Sequence, residues 1–482
     1  QILLSIDQNP VGESELGGAR FELPFVSEGS AVSLSATALA TGGGEGTAQI
    51  DGTLARFARA APALLEDTAT SGVPVAVDVQ GDRLLVVTDE GGGRALVELR
   101  ARDGSLLAST RLDGRPVAAK LHGDTAWVAL ATYGVGKVQL LSLPTLSLAH
   151  TIALRREPTC LASLRNGVAV GTDEGIELRA ADGTLGSRLA LGPAKDLATE
   201  GDRLLAIVGG KLMEIEGSAP GSARVARSAD ASPATLVAAM HGGRACLAGA
   251  EIACFRAEAE TFLIEGAEPL PSPARALARH GAWLFASTDE GLVVFDARNA
   301  PRSAGLFPAL AGPLAISGAE VFGATLQGVV RLELERGSGA PVVTLAPASS
   351  AAPGARVALG AAIADGSDPL DAYTAELRLN GETVELLDSS VPAFIDLPAS
   401  GAQATVDLVV RDMAGNVVQA SASIALVDDG LGPELVGIEA PAEVFEGARF
   451  RAVPIARDPA RVAEIELAFG AATPVTAQAP VL

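Results

Sequence analysis

The stretch Pro273-Ala-Arg-Ala-Leu277-Ala-Arg-His-Gly281-Ala-Trp283-Leu-Phe-Ala-Ser-Thr288-Asp-Glu-Gly291-Leu-Val-Val-Phe295 decides the fold. Pro273 opens a short apolar strand, and Gly281 turns the chain. Trp283-Leu-Phe285 begins a second strand. Thr288-Asp-Glu-Gly291 turns again, and Leu292-Val-Val-Phe295 makes a third. Gly closes the acidic turn because it takes a positive φ without a Cβ clash.

The same phrase occurs seven times. Its starts are Pro74, Pro116, Pro158, Pro193, Pro233, Pro273 and Pro313, at spacings of 42, 42, 35, 40, 40 and 40 residues. The turn letters recur in Thr88-Asp-Glu-Gly91 and Thr172-Asp-Glu-Gly175, and a later turn in Asp103-Gly104 and Asp182-Gly183. A last strand follows, as in Leu106-Leu-Ala-Ser109. Four short strands in about 40 residues form one blade of a β-propeller. One blade cannot cover both of its faces, whereas radially packed neighbours cover each other. Pro suits the start of an innermost strand, where a missing N–H is tolerated.

The seventh repeat shows three strands before Gly337-Ser-Gly-Ala340. Its fourth is expected from upstream, around Ala63-Leu-Leu-Glu-Asp-Thr68, which would close the ring and remove a sheet edge. Gly291-Leu-Val-Val-Phe-Asp-Ala-Arg-Asn-Ala-Pro301 resembles the LVIVD-type repeat of bacterial surface propellers, and the other repeats match it more loosely. That resemblance implies a fold far more than an activity.

After Pro341 the strands lengthen: Val342 to Leu345, Ala355 to Ile363, Ala375 to Leu379, Phe394 to Leu397, Ala404 to Val410 and Val417 to Leu426. Alternating apolar positions over about 90 residues indicate a β-sandwich. The hairpin Val410-Arg-Asp-Met-Ala-Gly-Asn-Val417 resembles the penultimate turn of bacterial immunoglobulin-like domains. Phe445 to Asp458 parallels Ala352 to Asp365, and Phe21-Glu-Leu-Pro24 with Val32 to Ala38 parallels Phe394 to Val410. The expected fold class is therefore all-β. It comprises the C-terminal half of an immunoglobulin-like sandwich at 1–55 and a seven-bladed β-propeller at 56–340. A complete immunoglobulin-like sandwich occupies 341–429, and the N-terminal half of another occupies 430–482. Half-sandwiches expose apolar faces. They imply either a segment of a longer tandem array or head-to-tail completion between copies by strand complementation.

The 482 residues carry a net charge of −22, with 48% hydrophobic and only 4% aromatic residues. Cores built from Ala and Val are implied. No Lys/Arg cluster offers phosphate contacts, so nucleic acid is not an expected partner. No apolar run reaches membrane-spanning length, so direct membrane insertion is not expected either. The expected partners are other protein modules or copies of the chain itself, at an extracellular or cell-surface location.

Candidate chemistry is sparse. His122, His150, His241 and His280 show no metal-ligand spacing, and His241 and His280 each precede a turn Gly. No nucleophile elbow or phosphate-binding loop is present, so no catalytic residue is assigned and the chain is not read as an enzyme. Cys246 and Cys254 lie on two strands of one hairpin. They are either a cross-strand disulfide or two small buried hydrophobes; Cys160 reads as a core residue. The acidic turns at Asp89, Asp173 and Asp289 read chiefly as turn formers. Asp365, Asp368 and Asp371 form the better loop for Ca²⁺, which takes about six to eight oxygens.

Three functions fit this pattern. The first is a structural or adhesive surface protein whose propeller is an interaction platform. The second is a secreted carbohydrate- or peptide-binding module, disfavoured by having only Trp127 and Trp283. The third is a lyase or hydrolase at the propeller's central funnel, for which Tyr133 and Tyr373 are the only tyrosines. The fold alone does not choose among them.

Overall fold

The computed structural model describes residues 62–427, apart from 66–67, 69–70, 166, 201–202, 217–222, 259, 299, 308–309, 335–338, 365–372, 389–393 and 413–414. It also places the backbone of strands Ile2–Ile6, Asn9–Ser14, Ala31–Leu39 and Glu45–Thr53, which form one antiparallel sheet. Two further hairpins pair Glu434–Glu439 with Val453–Arg457 and Ile465–Leu467 with Val475–Ala477. Every regular element among the described residues is a strand.

Seven four-stranded antiparallel sheets follow one another in sequence order. Their first strands are Val73–Gln80, Arg115–His122, Pro158–Leu164, Ala194–Glu200, Leu236–Ala239, Ala276–His280 and Leu314–Ser317. Each packs against the first strand of the next sheet, and Leu314–Ser317 packs back against Val73–Gln80. The sheets therefore form a closed ring with the first strands at its axis. The Pro of the repeat lies within or just before each first strand. In the first three sheets the register shifts directly after it, at Pro74, Pro116 and Pro158. The missing N–H thus coincides with a break in the ladder.

The second strands hold the core. Leu84-Leu-Val-Val87, Leu204-Leu-Ala-Ile-Val208 and Trp283 to Thr288 are buried throughout. A strand covered on both faces reads as a continuous apolar run. Alternate residues serve opposite neighbours. Leu85 and Val87 join Leu121, Val128 and Leu130 of the second sheet. Leu84 and Val86 join Phe322, Ala324 and Val329 of the seventh. Each sheet is thus stabilised by burial that only its neighbours complete.

The seventh sheet takes its outer strand from upstream. Ala63–Leu64 pairs with the third strand, Gly328–Glu333, through Leu64 opposite Val330 and Ala63 opposite Arg331. Leu65 is buried in the core shared by the seventh and first sheets. The expectation for residues 63–68 is met at this strand.

A near-identical nonapeptide recurs in the first and third sheets as Glu98-Leu-Arg-Ala-Arg-Asp-Gly-Ser-Leu106 and Glu177-Leu-Arg-Ala-Ala-Asp-Gly-Thr-Leu185. The structure gives both copies one geometry. Arg100 donates to the Gly104 carbonyl at 2.8 Å and Arg179 to that of Gly183 at 3.0 Å. Asp103 accepts from Ser105, and Asp182 from Thr184. Each Arg also pairs with the Glu two residues earlier. The repeat preserves the turn and the buried ion pair as a unit.

From Val342 onward a five-stranded sheet forms. It orders Ser350–Ala351, Val417–Leu426, Gln403–Asp412, Tyr373–Leu379 and Glu382–Asp388. Arg356–Ala358 pairs with Phe394–Asp396, and their Val357 and Ile395 pack against Leu377, Val406 and Ile424 of the larger sheet. One expectation is corrected here. The strand read as Ala355 to Ile363 is broken into Arg356–Ala358 and Ala362–Ala364. Gly360 between them takes φ +53°, and Leu359 gives its carbonyl to the Ala346 N–H. Glu382–Asp388 forms an edge strand whose residues from Glu382 to Leu386 are all exposed and carry no alternation of burial. The Val410 to Val417 hairpin is held by Asp412, whose carboxylate accepts from the backbone and side chain of Asn416.

Candidate functional site

One side of the ring carries the starts of the first strands and the turns between second and third strands. In three sheets that turn is built alike. Thr172, Thr288 and Thr325 each donate a side-chain hydrogen bond to the carbonyl three residues on, at Gly175, Gly291 and Gly328. All three glycines have positive φ. The hydroxyl holds the turn from inside, so the intervening residues point outward. Thr325-Leu-Gln-Gly328 shares this geometry without the acidic letters, so the spacing of Thr and Gly carries the signal.

The outward acids meet arginines. Glu90 accepts from Arg111 at 2.9 Å, Glu174 from Arg156 at 2.7 Å, and Asp289 pairs with Arg275. The hydrogen bond from Arg111 holds the Glu90 carboxyl below the usual range, and that from Arg156 does the same for Glu174. Among the described residues no group of three His, Cys, Asp or Glu is placed to hold a metal ion. Asp365, Asp368 and Asp371 lie outside the described residues.

On this side, between the second and third sheets, lies a cleft of about 570 Å³ lined by Arg115, Val117, Gly134, Arg156, Glu157, Pro158, Thr159 and Asp173. Glu157 accepts from the Gly134 N–H at 2.7 Å and stands 3.8 Å from Arg115. Tyr133, beside Gly134, is fully exposed at φ +44°. Val73 of the first sheet and Leu326 of the seventh are exposed on the same side. Three neighbouring sheets thus present large apolar side chains along one rim.

Further along the axis the first strands bring charges together. Asp78 pairs with Lys120 at 3.1 Å and also accepts from the Leu121 N–H at 2.8 Å. Asp196 accepts from the Val237 N–H at 2.9 Å. Burial pushes the Asp196 carboxyl up to about 6, against its hydrogen bonds to Val237 and Leu197 and the attraction of Lys120. Lys120 is raised by the charge of Asp78. Burial pushes the Cys160 thiol up to about 12, which leaves it unreactive.

The opposite side carries a second polar group. His241 contacts Glu200 of the preceding sheet, and Arg279 of the following sheet stands 3.8 Å from the same carboxylate. Arg203 donates to the carbonyls of Gly243 and Arg244. His241 is therefore a link between sheets as well as a turn residue. His280 ends its first strand opposite Trp283, so the two histidines are not equivalent in register. Cys246 and Cys254 lie directly opposite each other on adjacent strands, and the structure joins them in a disulfide within a buried cluster.

No protein-family model matches this chain, and no curated protein matches it. Several hundred solved structures are similar in shape. BamB from Moraxella catarrhalis is 14% identical, covering 56% of this chain and 85% of its own, with a TM-score of 0.40. Four-stranded sheets packed in a closed ring around their first strands make the ring a β-propeller. The extracellular domain of BT3049 from B. thetaiotaomicron, a candidate hybrid two-component system, is 11% identical. It covers 81% of this chain and 60% of its own, at a TM-score of 0.43. A functionally unknown protein from Desulfotomaculum acetoxidans is 14% identical over 50% of this chain and 87% of its own, at 0.40.

Proposed function

We propose that the ring is a seven-bladed β-propeller spanning 56–340, joined to immunoglobulin-like modules at 341–429 and at either flank, and that it is a protein-interaction platform of an extracellular surface protein. The observation that carries this reading is the rim formed by Leu326, Val73 and Tyr133 on three successive sheets. Exposed apolar side chains on adjacent sheets, beside a polar cleft, support a protein-binding patch there. The Cys246–Cys254 disulfide supports an oxidising location.

Photo-crosslinking amino acids at positions 73 and 133, with position 103 on the opposite side as control, test this reading on the intact chain in the cell-envelope fraction of its source. Discrete adducts to one protein from positions 73 and 133, absent from 103, are expected. Adducts equally frequent from all three positions, or from none, contradict it.

A further inference from the structure

The cleft between the second and third sheets contains a pair of charges that the fold leaves without close partners. Arg115 donates no hydrogen bond among the described residues, and its one ion pair, with Glu157, is long at 3.8 Å. Glu157 gives its shorter contact to the Gly134 N–H instead. Across the cleft, Asp173 has neither an ion pair nor a hydrogen bond among the described residues, and it feels the Arg156 guanidinium only at a distance. Its neighbour Glu174 takes that guanidinium through two nitrogens. Elsewhere on this side Arg111 is matched to Glu90 and Arg275 to Asp289.

We propose that this cleft binds an extended peptide segment carrying both charges, with a carboxylate on Arg115 and an ammonium or guanidinium group on Asp173. A guanidinium free of close partners is suited to receive a carboxylate through two parallel hydrogen bonds. A purely acidic ligand would meet Asp173 and Glu157, and a purely basic one would meet Arg115 and Arg156, so a segment of mixed charge is favoured over either. The volume of about 570 Å³ is in the range of ligand-binding clefts. Exposed Tyr133 at its edge offers a ring for a neighbouring side chain. The assignment rests on the interaction-face reading and names the chemistry of the partner at one point of that face.

Capped hexapeptides labelled with a fluorophore provide the probe. One set carries one Asp and one Lys separated by zero to four residues, and three controls are Asp-only, Lys-only and neutral. Binding to the full chain is read by anisotropy at low and moderate salt. At least one mixed-charge spacing is expected to bind at least tenfold more tightly than every control. R115Q and D173N, both on the exposed cleft wall, are each expected to weaken it at least fivefold with an unchanged melting temperature. Mixed-charge binding no tighter than the controls overturns the proposal. So does binding that survives both substitutions. Peptide binding lost only in Tyr133→Ala overturns the charge-pair assignment while leaving the interaction face intact. Crosslinks at positions 73 and 133 without any peptide binding likewise overturn the charge-pair assignment and leave the face standing.

Discussion

The Thr68 hydroxyl accepts the backbone N–H of Val329 at 3.0 Å, across 261 residues of sequence, and donates to the Leu65 carbonyl at 2.7 Å. One buried side chain therefore fastens the segment before the first sheet to the last sheet of the ring. Thr68→Val keeps the volume and removes both bonds, leaving the Val329 N–H without its partner. The expected cost is about 1–3 kcal/mol, seen as a lower denaturation midpoint with an unchanged slope. Gly328→Ala attacks the same junction. Its Cβ would stand 2.7 Å from the Thr68 hydroxyl oxygen, at φ +136°, so this variant should also be less stable. Wild-type midpoints for both would show that the junction is not closed in solution.

Leu65 anchors that segment in the core shared with Val77, Val86 and Phe322. Leu65→Ala should cost about 2–5 kcal/mol. Leu64→Ala, at an exposed neighbour, should fall within about 0.5 kcal/mol of wild type. Chemical denaturation of the two variants side by side checks the contrast.

Asp196 makes stability depend on pH in an unusual direction for a carboxylate. Its folded-state value of about 6 lies above the ordinary 3.8, so the folded chain binds this proton more tightly than the unfolded one. The resulting stabilisation is complete below about pH 4 and is lost as pH rises to about 6. Asp196→Asn should therefore gain on wild type by about 1–3 kcal/mol between pH 4 and pH 7. The measurement is the difference between wild-type and variant unfolding free energies across that range. A flat difference, or one of opposite sign, would show that Asp196 is ionised without penalty.

Reduction of Cys246–Cys254 should lower stability by about 2–3 kcal/mol, the entropy expected for releasing a short loop. Cys246→Ala with Cys254→Ala should give the same loss and make the protein indifferent to dithiothreitol. Equal melting temperatures with and without reductant would show that the bond contributes nothing.

The repeat was legible because it rests on local chemistry. Pro starts, Gly turns and apolar second strands recur at a period set by four strands, and the upstream closing strand followed from counting three where four were needed. What escaped was non-local. Glu200, His241 and Arg279 come from three different sheets, and no spacing in the letters joins them. The cleft is similar: Arg115, Arg156 and Asp173 are ordinary residues until adjacent sheets set them around one opening. The edge strand Glu382–Asp388 escaped because exposure erases the alternation by which strands are recognised. Conversely, the geometry these turns share lies in Thr172, Thr288 and Thr325 and not in their Asp and Glu.

Seven sheets close into one ring through the strand upstream of the first, and Leu64 and Val330 are direct partners across that closure. Directly opposed residues on adjacent strands can be joined by a disulfide, as Cys246 and Cys254 are. The most direct test is to introduce Leu64→Cys and Val330→Cys together in a Cys160→Ser background and map disulfides by mass spectrometry after mild oxidation of the folded protein. Ring closure predicts near-complete linkage of positions 64 and 330 within monomers, with Cys246–Cys254 retained. Free thiols at both positions, or linkage only between separate chains, would contradict it.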